Sequence, residues 1–307
     1  MEELIVGSTL VKKIINPGHE ETAWCPRYVY EADIKKRINR YISEPMQYGI
    51  FGETLCIGSG AYDNLFDLPR DKRTKEGKKK KVQVSIENQA KHFPQIALEK
   101  NIAVYPGVNT QIPLAVPYDD NTIIQSMLDI FPTTIFWNNE TQIAIIDIKF
   151  TSDINNTYGN FSWGAPAFID HFQPDLYHWL VRNVDIDYLK NRFPHINYDA
   201  VFHEAVKNAI ESNDIKFIYW IMGWKTLDPN ESIKKQIKFI ERGYTDQNGS
   251  MIRQEEMKMR ISKAVKILRL AEAQNWPERP SIEWCKKCAL AKHNNGNCKS
   301  SMEEETL

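Results

Sequence analysis

Asp147 and Lys149 lie two residues apart in QIAIIDIKF, the nearly continuous apolar run at 142–150. Such a run suits a central strand buried on both faces, and the strand period of two turns both charged side chains to one of them. Burying opposite charges among Ile145, Ile146 and Ile148 costs several kcal/mol per ion unless they are paired or bound to something. A carboxylate can hold a hard divalent cation, and an ammonium beside it can stabilise phosphate charge or orient an attacking water. Asp129, at the end of the preceding apolar run, can bring a second carboxylate across a hairpin. The alternative is an ion pair at an exposed strand end.

Two further groups carry chemistry. Gln173 and Tyr177 are four apart, so they share one face of the helix that follows, with Pro174 in its first turn. The chain has five cysteines. An odd number in a chain of this length argues against a disulfide framework, and Cys285-x2-Cys288 with Cys298 beyond argues for a metal site. His293 completes a Cys285-x2-Cys288-x4-His293-x4-Cys298 spacing that matches a zinc knuckle, a module for single-stranded nucleic acid. Cys25 instead precedes Pro26 at a helix start, where the dipole and free amides favour a thiolate. Cys56 falls on the apolar side of its helix and reads as core.

The order Asp129, Asp147-Ile148-Lys149, Gln173-x3-Tyr177 resembles the PD-(D/E)xK nuclease superfamily, and within it the RecB-like exonucleases with a Q-x-x-x-Y motif. The resemblance implies that Asp129 and Asp147 bind Mg²⁺ or Mn²⁺, with the Ile148 carbonyl as a further ligand. Lys149 would activate the water, and Gln173 and Tyr177 would orient the site and contact DNA. FGETLCIG resembles the family's first motif and makes Glu53 a third metal carboxylate. A helix-surface glutamate is the other reading of Glu53, because the family places a histidine in this region and neither His19 nor His92 matches. Thr151 and Ser152 follow Lys149 and can donate to a phosphate. Trp163, Phe168 and Trp179 read as core or as stacking surfaces for bases. One N-terminal and three C-terminal cysteines are similar to the iron-sulfur members, including AddB nuclease domains and CRISPR-associated adaptation nucleases. Cys25, Cys285, Cys288 and Cys298 would then hold a 4Fe-4S cluster, with Zn²⁺ on Cys285, Cys288, His293 and Cys298 as the alternative.

The elements that must position these groups are an α/β set. Apolar spacing predicts helices at 26–42, 45–57, 169–183, 198–212 and 254–274. Strands are expected at 102–105, 122–129, 133–137, 143–150 and from 215, with Asn138-Asn139-Glu140 as a hairpin turn. The expected architecture is a PD-(D/E)xK nuclease core, a mixed sheet flanked by helices. It divides into an N-terminal helical segment (1–45), the core (46–250) and a C-terminal helix with the cysteines (251–307).

The chain has 307 residues, 42% hydrophobic and 26% charged, which excludes a chain disordered or fibrous throughout. Net charge is −1, yet residues 71–81 carry seven Lys or Arg against two acids, a local +5 suited to a solvated loop that can touch phosphates. No run reaches the 18 or so apolar residues of a membrane span, and the N-terminus lacks a secretory signal. The expected partner is DNA, single-stranded or with free ends, in the cytoplasm of a bacterial, archaeal or phage-infected cell. The expected reaction is metal-dependent, most simply exonucleolytic, phosphodiester hydrolysis in recombination, repair or phage DNA processing. A sequence-specific endonuclease and a non-catalytic single-strand binder are the alternatives.

Overall fold

The computed structural model describes residues 3–7, 10–11, 14, 25–37, 44–58, 81–157, 162–169, 171–224, 236–243 and 247–277. Their strands are β1 (Leu4–Gly7), β2 (Thr110–Asp119), β3 (Thr122–Trp137), β4 (Glu140–Thr151), β5 (Ile215–Gly223) and β6 (Ile237–Arg242). They form one mixed sheet in the order β1-β3-β4-β5-β6, with β2 also paired to β3. The helices are α1 (Pro26–Val29), α2 (Glu44–Ile57), α3 (Lys81–Lys91), α4 (Phe93–Glu99), α5 (Phe172–Asn183), α6 (Ile186–Arg192), α7 (Tyr198–Val201), α8 (Glu204–Glu211) and α9 (Gln247–Ala273). The expected mixed sheet flanked by helices is what forms.

The chain makes two compact units, one of Met1–Ile42, Val116–Gln125 and Glu255–Leu307, the other of Ser43–Ala115 and Ser126–Gln254. Within the first, β1 runs parallel to the start of β3, Leu4 opposite Thr122. Arg269 on α9 binds the Asn121 carbonyl and the Thr122 hydroxyl, both at 2.8 Å. The helix expected over 26–42 is shorter here. After Val29 the backbone widens into a π-helical turn, Tyr30–Ile34, closed by the Lys35 and Arg37 amides donating to the Tyr30 and Glu31 carbonyls at 2.7 and 2.8 Å. Lys36 then takes a left-handed φ of 52°. Glu31 lies inside this turn, paired with Arg27 at 2.9 Å and Arg37 at 3.4 Å. The four-residue apolar spacing is blind to that ion triad. Residues 38–42 lie outside the described set.

In the second unit β3 and β4 are an antiparallel hairpin, Trp137 opposite Glu140. Asn138 and Asn139 both have positive φ, 49° and 68°, the tight turn that Asn tolerates and that matches strand twist. The two short strands expected at 122–129 and 133–137 are one strand with a one-residue register shift between Ile130 and Thr133, at a proline that cannot join the ladder. The strand expected at 102–105 is irregular chain. The strand used instead is β2, whose Pro113 and Pro117 disguise it. The helix expected at 198–212 is broken between α7 and α8.

β4 and β5 run parallel, Asp147 opposite Tyr219 and Lys149 opposite Ile221. Parallel pairing needs a crossover, which α5 to α8 supply. One face of β4 (Ala144, Ile146, Ile148) joins Ile57, Phe93, Ile96, Ala97, Ile218 and Trp220 in a hydrocarbon core, with Phe93 stacked on Trp220 at 4.4 Å. α2 comes so close to β4 that a Cβ on Gly52 would stand 2.5 Å from the Phe150 ring. Among the described residues no helix is long and apolar enough to cross a membrane.

Candidate active site

The second face of β4 carries Asp147, which is buried, and Lys149, whose side chain is 25% exposed. Asp147 is 1% exposed. Its Oδ2 pairs with the Lys149 ammonium, and its Oδ1 accepts from Gln173 Nε2 at 2.6 Å. Gln173 Nε2 also donates to the Tyr177 hydroxyl at 3.0 Å, which in turn donates to the Met127 carbonyl on β3 at 3.1 Å. A chain of hydrogen bonds therefore runs from the strand pair through α5 and back. The exposed ion-pair alternative for Asp147 is excluded by its burial.

Asp129 precedes Ile130, which is paired with Ile146. Its Oδ2 accepts the Ile148 amide at 2.8 Å. Ile148 thus also meets the site through its N–H. Glu53 is buried on α2 at 9% exposure, which excludes the helix-surface reading. Its charge reaches both Asp129 and Cys56.

The electrostatics follow from burial. Desolvation, then Glu53 and Asp147, drive Asp129 well above the usual carboxylate range, against the opposing pull of Lys149 and the Ile148 amide. Desolvation also raises Asp147, with Lys149 and Gln173 pulling the other way. Burial alone would lower Lys149, but Asp147, Asp129 and Tyr177 override it and hold the ammonium charged far above its ordinary value. Burial and the two aspartates push the Tyr177 phenol upward. Buried carboxylates that penalise one another's ionisation are the donor chemistry a hard cation relieves. One ammonium offsets part of that charge. Among the described residues no three His, Cys, Asp or Glu side chains converge tightly enough to enclose an ion.

No family model and no curated protein matches the chain. Among solved structures, a crystal structure of a candidate exonuclease from Eubacterium rectale aligns with a TM-score of 0.50 at 13% identity, covering 97% of this chain and 90% of that one. The likeness is one of fold.

The remaining expected residues divide. Thr151 has its hydroxyl 3.4 Å from the Asp153 backbone, and Ser152 is exposed beside it. Trp163 and Trp179 are buried, at 2% and 7% exposure, so neither is a stacking surface; Trp163 meets Tyr219 edge-on at 5.4 Å. The Phe168 side chain lies outside the described set. Cys25 is the residue before α1, half-buried, its carbonyl accepting from the Val29 amide at 3.0 Å. Cys285, Cys288, His293, Cys298 and the basic residues at 71–80 lie outside the described residues. Cys56 packs against the hydrocarbon core, and burial, then Glu53, raises its thiol pKa.

Sequence reasoning missed the support at the end of β5. Gln89 on α3 donates to the Gly223 carbonyl at 3.0 Å and Ser85 to the Trp224 carbonyl at 2.9 Å, fixing the strand end next to Thr151. The available signal was an amide spaced among the apolar positions of 81–91.

Proposed function

We propose that this protein is a metal-dependent deoxyribonuclease that hydrolyses DNA phosphodiesters, acting from strand ends as an exonuclease of the RecB-like type. The observation that carries the reading is the buried Asp147 paired with the half-buried Lys149 and tied to Gln173 and Tyr177, beside a second buried aspartate. Nothing in a stable core calls for that arrangement. The fold it shares with a candidate exonuclease supports the same reading.

In this reading Asp129, Asp147 and Glu53 would be the carboxylates that hold Mg²⁺ or Mn²⁺, drawing in around the ion from the wider spacing they have without it. A bound ion of this kind supplies phosphate charge stabilisation and an acidified water. Lys149, kept charged by the two aspartates, orients that water and meets developing phosphate charge. Gln173 fixes the Asp147 carboxylate, and Tyr177 anchors Gln173 to β3. Ser152 and Thr151 donate to the phosphate of the scissile or neighbouring nucleotide. Cys25, Cys285, Cys288 and Cys298 hold a 4Fe-4S cluster, and iron with inorganic sulfide in anaerobically purified protein is the expected analysis; one zinc without iron assigns the site to the zinc alternative instead.

End-labelled and circular DNA, single- and double-stranded, with Mg²⁺ or Mn²⁺, test the activity. Linear substrates are expected to be degraded, and Lys149→Ala to lose activity about a thousandfold, the scale of removing one preorganised charge at the reacting phosphate. Equal degradation by Lys149→Ala overturns the site. Cleavage of closed circles makes the protein an endonuclease, and DNA binding without cleavage under any metal makes it a binder.

A further inference from the structure

Lys149, Ile221 and Lys238 form one row across β4, β5 and β6, so Lys238 stands on the catalytic face two strand spacings, roughly 10 Å, from the catalytic ammonium. It does not act as a free surface charge. Its Nζ donates to the Ile154 carbonyl at 2.8 Å and the Asn155 side-chain oxygen at 2.9 Å, and lies 3.4 Å from the Trp163 carbonyl. An ammonium has three protons, and all three are directed at the chain that leaves β4 immediately after Thr151 and Ser152.

That chain is folded tightly on itself at the same place. The Gly164 amide donates to the Asn156 carbonyl at 2.7 Å, and a Cβ on Gly164 would lie 2.2 Å from the Asn155 carbonyl oxygen. In the second arm Trp163 sits against Tyr219, the residue opposite Asp147 on β5. Lys238 therefore holds both arms, 154–155 and 163, to one atom.

We infer that Lys238 is a positioning residue. Its ammonium straps the segment after β4 so that Thr151 and Ser152 face the phosphate attacked by the water that Lys149 orients, and it sets affinity for the DNA backbone more than turnover. A cation is suited to this because it satisfies three backbone and amide oxygens at once, where a neutral donor reaches one or two. The inference rests on the nuclease reading for its catalytic part and on geometry alone for the strap.

Lys238→Met and Lys238→Arg test it, with Tm measured on both and assays run well below the lower value. Two readouts separate the claims. Amide hydrogen exchange in 152–157 and 162–165 is expected to rise at least tenfold in Lys238→Met and to recover partly in Lys238→Arg; unchanged exchange overturns the strap whether or not the protein cuts DNA. On end-labelled DNA, Lys238→Met is expected to raise KM about tenfold with kcat within threefold, and Lys238→Arg to recover part of the KM. A wild-type KM in Lys238→Met overturns the positioning role while leaving the nuclease intact. A wild type that cleaves nothing under any metal defeats the nuclease reading and the catalytic part together, while the exchange result still judges the strap.

Discussion

The two faces of β4 are chemically opposite. Ala144, Ile146 and Ile148 meet Phe93, Ile218 and Trp220 in hydrocarbon. Asp147 and Lys149, the alternate residues, meet Gln173, Asp129 and each other. The first face contributes stability roughly in proportion to the area it hides from water, about 25 cal/mol per Å². The second withdraws ions from water and recovers only part of the desolvation through pairing. One strand thus stabilises on one side and costs on the other, which is expected where a site has been kept for chemistry.

The sharpest way to break this comparison is to make the faces alike. The double variant Asp147→Leu/Lys149→Met is expected to be at least as stable as wild type by urea unfolding, because replacing a buried ion pair with hydrocarbon is often neutral or stabilising, and to have no detectable nuclease activity. Retained activity would separate the charged face from the chemistry. On the other face, Ile146→Ala is expected to cost about 3 kcal/mol of unfolding free energy by cavity formation, with kcat per folded molecule nearly unchanged. Gly52→Ala drives a methyl into the Phe150 ring and shifts the helix that carries Glu53, costing about 2 kcal/mol together with part of the activity.

Smaller effects probe the sign of the electrostatics. The raised pKa of Asp129 means that metal-free protein loses stability as pH rises from the ordinary carboxylate value of about 4 toward the higher folded value. Asp129→Asn is therefore expected to raise the Tm of metal-free protein by a few degrees at neutral pH while abolishing metal-induced stabilisation. His178 shows the opposite pH response. Burial, then Arg182 and Lys216, lowers it from 6.5 to about 4, so its stabilising neutral form is lost as pH falls through that window. His178→Leu is expected to flatten the stability profile between pH 6.5 and 4, read by thermal melts across that range.

Much of the site was legible along the chain. A charged pair inside QIAIIDIKF and a four-residue Gln-to-Tyr spacing are local patterns with local physical meaning, and α2, β4, α5 and β5 were expected within a few residues of where they lie. The elements that were missed lack such patterns. β2 contains two prolines, β1 is four residues long, and β6, Ile-Lys-Phe-Ile-Glu-Arg on a sheet edge, lacks a regular alternation of apolar and charged residues. The π-helical turn after Val29, closed by backbone amides and flanked by the Glu31 ion triad, has no periodic signature.

The sequence by itself determined which residues are the candidates for chemistry, because residue type and short spacing settle charge and facing on a single strand or helix. Only the tertiary structure decided that Asp129 meets the Ile148 amide, that Gln173 Nε2 reaches Asp147 Oδ1, that Glu53 is buried and that Lys238 holds the segment after β4. Each of these joins residues from different elements. Such meetings depend on how the strands register and how far the helices close over them, and packing against the rest of the chain sets both.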